Sequence, residues 1–428
     1  MRNIESTREL LADWTKKIPE SEIRRLLKNK TKYYLAGGLP GNLPTKVFPK
    51  ILDELSEYYK EDEKRVINEF QYGMTAGAKG LREVLAERLH VKDKISCITG
   101  KQDWEKMLIT TGSQQATYLV LDILVNPGDI VITPSPAYLG FVTAVVKIGG
   151  TVVTAPTDEF GLIPEAVEDT IVKAETELGK KVKLLYVVSD SDNPKGTTLP
   201  YERRKALYDL AEKYNVFILE DEAYKEMQFT ERIPPIKSLD KDNEWVIYVS
   251  STSKEAAPLR IGYSLMPEHL HLEAEKSKGY IDLCTPTLTQ RVAEIYYAKY
   301  IDTYLPEIVQ KYKKQKDVAF KALQDTFPEG DYTNPTGGFF IWWQAPDEKA
   351  YSFDVGKFNQ DVLLPNDVLV VPGAAFYPPV GYSYDFKTRT IVPLKVIKGG
   401  MRIGFSFLNP ELLDEGVRKL GELLTKHV

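Results

Sequence analysis

In the stretch S-T-S-K-E-A-A-P-L-R, Ser251, Ser253, Lys254 and Arg260 fall within ten residues, directly after the apolar run V-I-Y-V-S. A lysine where a buried strand ends is costly unless it is paired, solvated or chemically used, and a desolvated amine is a competent nucleophile. Four other stretches bring reactive or binding groups after similar runs. G-S-Q-Q opens a helix at Ser113, and the free N–H groups of a helix start form an anion site. P-S-P-A-Y presents Tyr138, a flat surface for a planar ligand. S-D-S-D-N-P-K-G holds Asn193 in an Asn-Pro turn, and E-D-E-A-Y ends a strand with Glu220 and Asp221 before adding Tyr224. Each of these has an ordinary structural use alone: Ser113 as a cap, Tyr138 as a packed loop residue, Asn193 as a turn former, the carboxylates as partners of a buried cation.

The elements that must position them alternate in type. Apolar runs read as strands over 107–111, 130–133, 184–188, 216–219 and 246–250, separated by amphipathic stretches such as the helix over 201–214. That alternation predicts a parallel sheet covered on both faces, in which ligands bind beyond the carboxyl ends of the strands. The five stretches therefore meet at one edge. Together they offer an anion site, an arginine, an aromatic plate, two hydrogen-bonding side chains, a carboxylate and a lysine. The set suits pyridoxal 5'-phosphate. Its phosphate carries about −1.5 to −2 charges against roughly +0.5 at one helix end, so Arg260 and hydroxyls are needed. Its aldehyde needs a lysine amine, and its ring nitrogen an acidic partner. A nucleotide site of the P-loop kind lacks its G-x-x-x-x-G-K-[ST] signature.

With these motifs in order, the sequence resembles the fold-type-I, pyridoxal-phosphate-dependent class I/II aminotransferases, and within them the branch of 2-aminoadipate, kynurenine and aromatic aminotransferases. The likeness runs from S-E-I-R-R-L-L-K and A-G-G-L-P to G-M-R-I-G-F-S-F. It implies an α/β transferase fold of type I: a large domain over 46–305 with a mainly parallel central sheet, and a smaller α+β domain from 1–45 and 306–428. It implies that Lys254 bonds to the cofactor aldehyde and moves the proton, that Asp221 pairs with the ring nitrogen, and that Tyr224 and Asn193 bond the ring oxygen. Ser113, Gln114, Ser251, Ser253 and Arg260 would hold the phosphate, and Tyr138 would stack on the ring. Arg402 of M-R-I-G, helped by the backbone at Gly38, would clamp the substrate α-carboxylate. Tyr72 would reach the phosphate of a neighbouring subunit, implying a homodimer with shared sites. Arg24, on a helix closing over the substrate, matches a position that can meet a distal carboxylate; Arg25 points to another face. Three departures stand out, one of them an insertion over 377–400 that is longer than expected and has no assigned role. E-A-A-P-L-R lacks the glycine usual before L-R and is one residue shorter than in the nearest relatives, which bears on the geometry of Arg260. N-P-K-G replaces N-P-T-G, adding Lys195 near the site entrance.

The expected function is transfer of an α-amino group from an amino acid of aromatic, kynurenine, 2-aminoadipate or glutamate type to a 2-oxo acid such as 2-oxoglutarate. Two alternatives keep the cofactor: β-lyase or racemase chemistry, and a cofactor-sensing regulatory module. Composition narrows the rest. The 428 residues are 43% hydrophobic and 27% charged, ample for a sizeable core, and 56 basic against 61 acidic residues leave a net charge of −5, which argues against nucleic acid as a partner. Two cysteines, Cys97 and Cys284, suggest a reducing compartment. The N-terminus does not read as a signal peptide, and no uncharged run reaches 18 residues without helix breakers, so a cytoplasmic protein without membrane spans is expected. His90, His269, His271 and His427 show no spacing that pairs with the cysteines, so no metal is expected. G-G-F-F-I-W-W reads as core, and 377–400, rich in Tyr, Pro and Gly, as a long surface loop or hairpin.

Overall fold

A computed structural model describes residues 9–26, 28–42 and 45–428; the first eight residues, and with them most of the stretch read for a signal peptide, lie outside it. Nine strands build the main sheet: β1 (Met107–Thr110), β2 (Ile130–Pro134), β3 (Thr151–Ala155), β4 (Val182–Val187), β5 (Phe217–Asp221), β6 (Val246–Ser251), β7 (Gly262–Leu265), β8 (Tyr382–Asp385) and β9 (Thr390–Pro393). Their spatial order is β9-β8-β3-β2-β4-β5-β6-β7-β1. β7 runs against both β6 and β1, and β9 runs against β8; the other pairs are parallel. The architecture is the α/β one expected, with the sheet mostly parallel.

Period-two alternation decides which side chain goes where. Val131, Leu184, Tyr186 and Leu219 enter one core with Leu119 and Val145 of the covering helices. Ile130, Ile132, Leu185 and Ile218 enter the opposite core with Val167, Ile171 and Leu207. Burial on both faces explains the nearly unbroken apolar strands, each Leu, Ile or Val contributing about 1.5–3 kcal/mol when removed from water. The helix over Tyr201–Tyr214 falls where periodicity put it and stops at Asn215, which turns left-handed at φ 52°.

A second sheet pairs Phe340–Gln344 antiparallel with Gly400–Gly404, flanked by Asp331–Tyr332 and Val371–Pro372. Trp343, Ile341 and Ile403 pack there against Ala319 and Leu323 of the helix Ile301–Thr326 and against Leu413, Val417 and Leu420 of the helix Pro410–Thr425. Trp343 of G-G-F-F-I-W-W is thus core, as read. The N-terminal strand Tyr33–Tyr34 pairs with Val368–Leu369, joining the start of the chain to its last third.

Within residues 377–400, β8 and β9 form a hairpin, and it is not a free surface feature. β8 adds to the sheet edge beside β3, the Thr154 hydroxyl donates to Ser383 Oγ at 3.0 Å, and Tyr384 donates to Asp169 at 2.7 Å. Among the described residues no helix is long and apolar enough to cross a membrane.

Candidate active site

The carboxyl ends of β1, β2, β4, β5 and β6 share one edge of the sheet, and a cavity of about 210 Å3 opens there. Ser113, Gln114, Tyr138, Asn193, Asp221, Tyr224, Ser253, Lys254 and Arg260 line it, nine residues singled out from sequence. Ser251 is buried and is not among the lining residues, its Oγ accepting from the Ser253 N–H at 3.3 Å. Tyr72 is 78% exposed and is not among the lining residues of its own chain's cavity.

Close approach under the Ser113 helix requires glycine. Gly112 has φ 78°, and a Cβ there would strike the Arg260 guanidinium. Arg260 itself takes φ 51°, closing the short turn Ala257–Leu259. The arginine backbone thus adopts the left-handed conformation that a glycine adopts freely, and the shortened connection still delivers its guanidinium beside the helix start. Its Nη1 donates to Ser253 Oγ at 3.3 Å and to the Ala257 carbonyl at 3.2 Å. Gly140 has a similar use: a Cβ there would come within 2.6 Å of the Tyr138 ring. Tyr138 donates to Gln114 Oε1 at 3.3 Å, and burial pushes its phenol up to about 12.

The two acidic neighbours separate cleanly. Glu220 accepts from the Ser189 hydroxyl at 2.6 Å and from the backbone N–H groups of Ile236 and Lys237 at 2.6 and 2.9 Å, so its oxygens hold structure. Asp221 points to the other side. Its Oδ2 accepts from Tyr186 at 2.9 Å while its buried Oδ1 has no partner. Burial raises the Asp221 carboxyl to about 6, against the Tyr186 hydrogen bond and the Lys254 charge. Lys254 Nζ lies 4.5 Å from the Tyr224 ring centroid. Burial, aided by the Arg402 cation, lowers the Lys254 ammonium to about 8, so the neutral amine is much easier to reach near neutral pH than for an exposed lysine.

Arg402 is 1% exposed, on the strand Gly400–Gly404 opposite Trp342. Its Nη1 donates to Asn193 Oδ1 at 2.8 Å and its Nη2 to the Ala36 carbonyl at 3.0 Å, while Nε has no partner. Its guanidinium lies 4.0 Å from the Phe340 ring centroid, and burial lowers it to about 10. Gly38 sits against this group, with room for a Cβ closed by Phe340 at 2.9 Å. Arg24 lines a second chamber of about 1,100 Å3 that shares Gln114 and Tyr138 with the first, and Arg25, expected on another face, lines the same chamber. Lys195 lines neither cavity.

Sequence reasoning missed Thr117, Tyr186, Val188 and Ala223, which also line the cavity. Tyr186 left a signal: a hydroxyl inside the otherwise aliphatic K-L-L-Y-V-V needs a buried partner, which turns out to be Asp221. It also missed Phe340, read only as core, which serves that role and supports Arg402 as well.

A parallel sheet with an amine, a carboxylate and an anion cradle at its carboxyl edge, and a buried arginine next to them, defines a fold-type-I transferase. Residues 40–420 match the model of aminotransferase class I and II, and the chain belongs to that family. It is 33% identical over 417 residues to aromatic-amino-acid aminotransferase 1 of Thermococcus litoralis, covering 95% of this chain and 92% of that protein. It is 30% identical over 422 residues to 2-aminoadipate transaminase of Thermus thermophilus, covering 95% and 94%. The crystal structure of Pyrococcus horikoshii kynurenine aminotransferase superposes with a TM-score of 0.86 at 32% identity, over 99% of this chain and 98% of that one. This chain is an aminotransferase of a pyridoxal-phosphate-dependent family, acting on amino and 2-oxo acids.

Proposed function

We propose that the chain binds pyridoxal 5'-phosphate in the 210 Å3 cavity and exchanges amino groups between glutamate or 2-oxoglutarate and amino acids of aromatic, kynurenine or 2-aminoadipate type. One observation carries the cofactor reading: the buried Asp221 Oδ1, without a partner in a cavity that also holds Lys254. A carboxylate oxygen left orphaned costs free energy, and a protonated ring nitrogen is the partner that would satisfy it. The donor set at the other end matches a phosphate: the helix start at Ser113, the Ser253 hydroxyl and Arg260, with Gln114 and Ser251 in support.

When bound, the cofactor supplies an aldehyde that bonds to amines and a ring that withdraws electrons from the substrate α-carbon. The residues do the rest. Asp221 holds a proton at the ring nitrogen. Tyr138 covers one ring face, and Tyr224 and Asn193 present hydrogen-bonding groups to the ring oxygen. Lys254, with its lowered affinity for a proton, takes the proton from the α-carbon and returns it. Arg402 and the backbone near Gly38 hold the α-carboxylate common to all these substrates.

The larger chamber supports the wide substrate range. It shares Gln114 and Tyr138 with the first cavity, and its lining combines the apolar Leu139, Ala375 and Pro378 with the cations Arg24 and Arg25. An aromatic side chain meets apolar wall, and a distal carboxylate meets the Arg24 guanidinium. Arg24→Ala tests this with glutamate and phenylalanine as parallel donors. Losing a bidentate desolvated contact costs about 2–5 kcal/mol, so KM for glutamate should rise at least tenfold while phenylalanine barely changes. An equal loss for both, or none for either, places acidic-substrate recognition elsewhere.

A homodimer with shared sites belongs to the same proposal. Ile67, Phe70, Tyr72, Met74, Tyr280 and Leu283 are large apolar residues left exposed. The two segments that carry them are adjacent, since the Thr287 hydroxyl donates to the Glu69 carbonyl and a Cβ at Gly73 would touch Thr287. A contiguous apolar patch of this kind is characteristic of an interface. The division into 46–305 and 1–45 with 306–428 stands as part of the proposal, with the β8–β9 hairpin reaching from the second body onto the sheet of the first.

A further inference from the structure

Lys195, the departure in N-P-K-G, stands where three parts of the site meet. The turn that carries it is closed on itself. Asp192 accepts from the Thr197 N–H at 2.8 Å and from the Thr197 hydroxyl at 2.9 Å, and the Gly196 N–H donates to the Asp192 carbonyl at 2.7 Å. One side of this turn presents Asn193 to Arg402. On another side Lys195 Nζ donates to Thr157 Oγ1 and to the Asp158 carbonyl, both at 3.1 Å. Thr157 passes the connection on, its hydroxyl donating to the Ser135 carbonyl at 2.9 Å, three residues before Tyr138. The Asp158 carboxylate is itself fixed by Arg203 at 2.7 and 2.6 Å. The Lys195 carbonyl faces the second sheet, accepting from the Thr333 hydroxyl at 2.6 Å, whose oxygen accepts from the Trp342 N–H at 3.0 Å. Trp342 lies directly opposite Arg402 in that sheet.

We propose that Lys195 is a positioning residue, which through Thr157 sets the spacing between the Tyr138 ring platform and the Asn193–Arg402 pair. It touches neither cavity. A two-donor ammonium ties the Asn193 turn to the Ser135–Tyr138 loop, a span that a threonine at this position is too short to bridge. Because Arg402 would hold the carboxylate shared by every substrate, loosening this tie weakens binding of all of them alike; because Asn193 would bond the ring oxygen, it also changes the ionisation of the bound cofactor. The inference rests on the cofactor reading given above.

The test uses the holoenzyme. Lys195→Met should raise KM for amino donor and 2-oxoglutarate together by about 3- to 12-fold, the size of one lost positioning hydrogen bond, with kcat changed less. It should also shift the pH midpoint of the visible cofactor band. Thr157→Val should do the same, and the double variant should be no worse than either, since both cut one connection. Lys195→Arg, which keeps two donors, should recover most of the wild-type KM. Lower thermal stability with unchanged KM and unchanged band midpoint, or additive effects in the double variant, overturns the proposal. A Lys254→Ala variant run alongside separates the two failures: if it still turns over repeatedly, the cofactor reading is wrong, and if it is inactive while Lys195→Met equals wild type, only the positioning role falls.

Discussion

Glu220 and Asp221 are neighbours in sequence with opposite uses, because successive strand residues face opposite sides of a sheet. Glu220 meets three donors on the structural side, and Asp221 faces the cavity with one oxygen free. Asp221→Ala should therefore lower kcat by about 100-fold or more, the scale of a lost electrostatic partner in a buried site, with Asp221→Glu milder. Glu220→Gln should instead cost about 1–3 kcal/mol of folding stability and affect kcat little; steady-state kinetics and denaturant unfolding of the three variants check this. Near-normal turnover in Asp221→Ala with severe loss in Glu220→Gln would show the wrong acid to have been chosen. The sequence alone revealed that a carboxylate arrives at this edge, and only the resemblance chose between the two. Their partners lie 16 to 35 residues away, beyond any local pattern.

The connection from β6 to β7 divides its two adjacent charges in the same way. Lys254 enters the cavity, while Glu255 is buried on the side of Glu226, Lys225 and Arg88, with its Oε2 unpartnered. Burial, reinforced by Glu226, raises the Glu255 carboxyl from 4.5 to about 8. Between those values the folded protein holds a proton that the unfolded chain has released, so this residue's contribution makes stability fall as pH rises from about 5 to 8. Glu255→Gln, uncharged throughout, should be more stable than wild type at pH 8, with the advantage shrinking toward pH 5. An advantage that grows toward pH 5 in thermal unfolding would contradict the assigned ionisation. Elements of this sheet were legible because parallel strands buried on both faces leave long apolar runs bounded by turn residues. The hairpin of β8 and β9 was less so. It is an edge element, half-buried and rich in Tyr, Pro and Gly, and its place beside β3 comes from pairing across 229 residues. The left-handed turn at Arg260 was hidden for another reason: tertiary contacts impose it on a residue that does not favour it.

For the whole molecule, the proposed homodimer would carry Tyr72, 78% exposed in the single chain, to the partner's site. Mixing a Lys254→Ala subunit with a Tyr72→Phe subunit tests the arrangement. If Tyr72 crosses over, the mixed dimer keeps one site free of both changes and should show about half of wild-type activity. Activity no higher than half that of the Tyr72→Phe homodimer would mean that each tyrosine serves its own subunit. The central claim is that five strand ends assemble one cofactor site around Lys254. Borohydride reduction of the purified enzyme, followed by proteolysis and mass spectrometry, reads it directly. The expected result is a phosphopyridoxyl group on the peptide containing Lys254 and on no other lysine; the same group on a different lysine, or an unmodified Lys254 in enzyme that turns over, would contradict the claim.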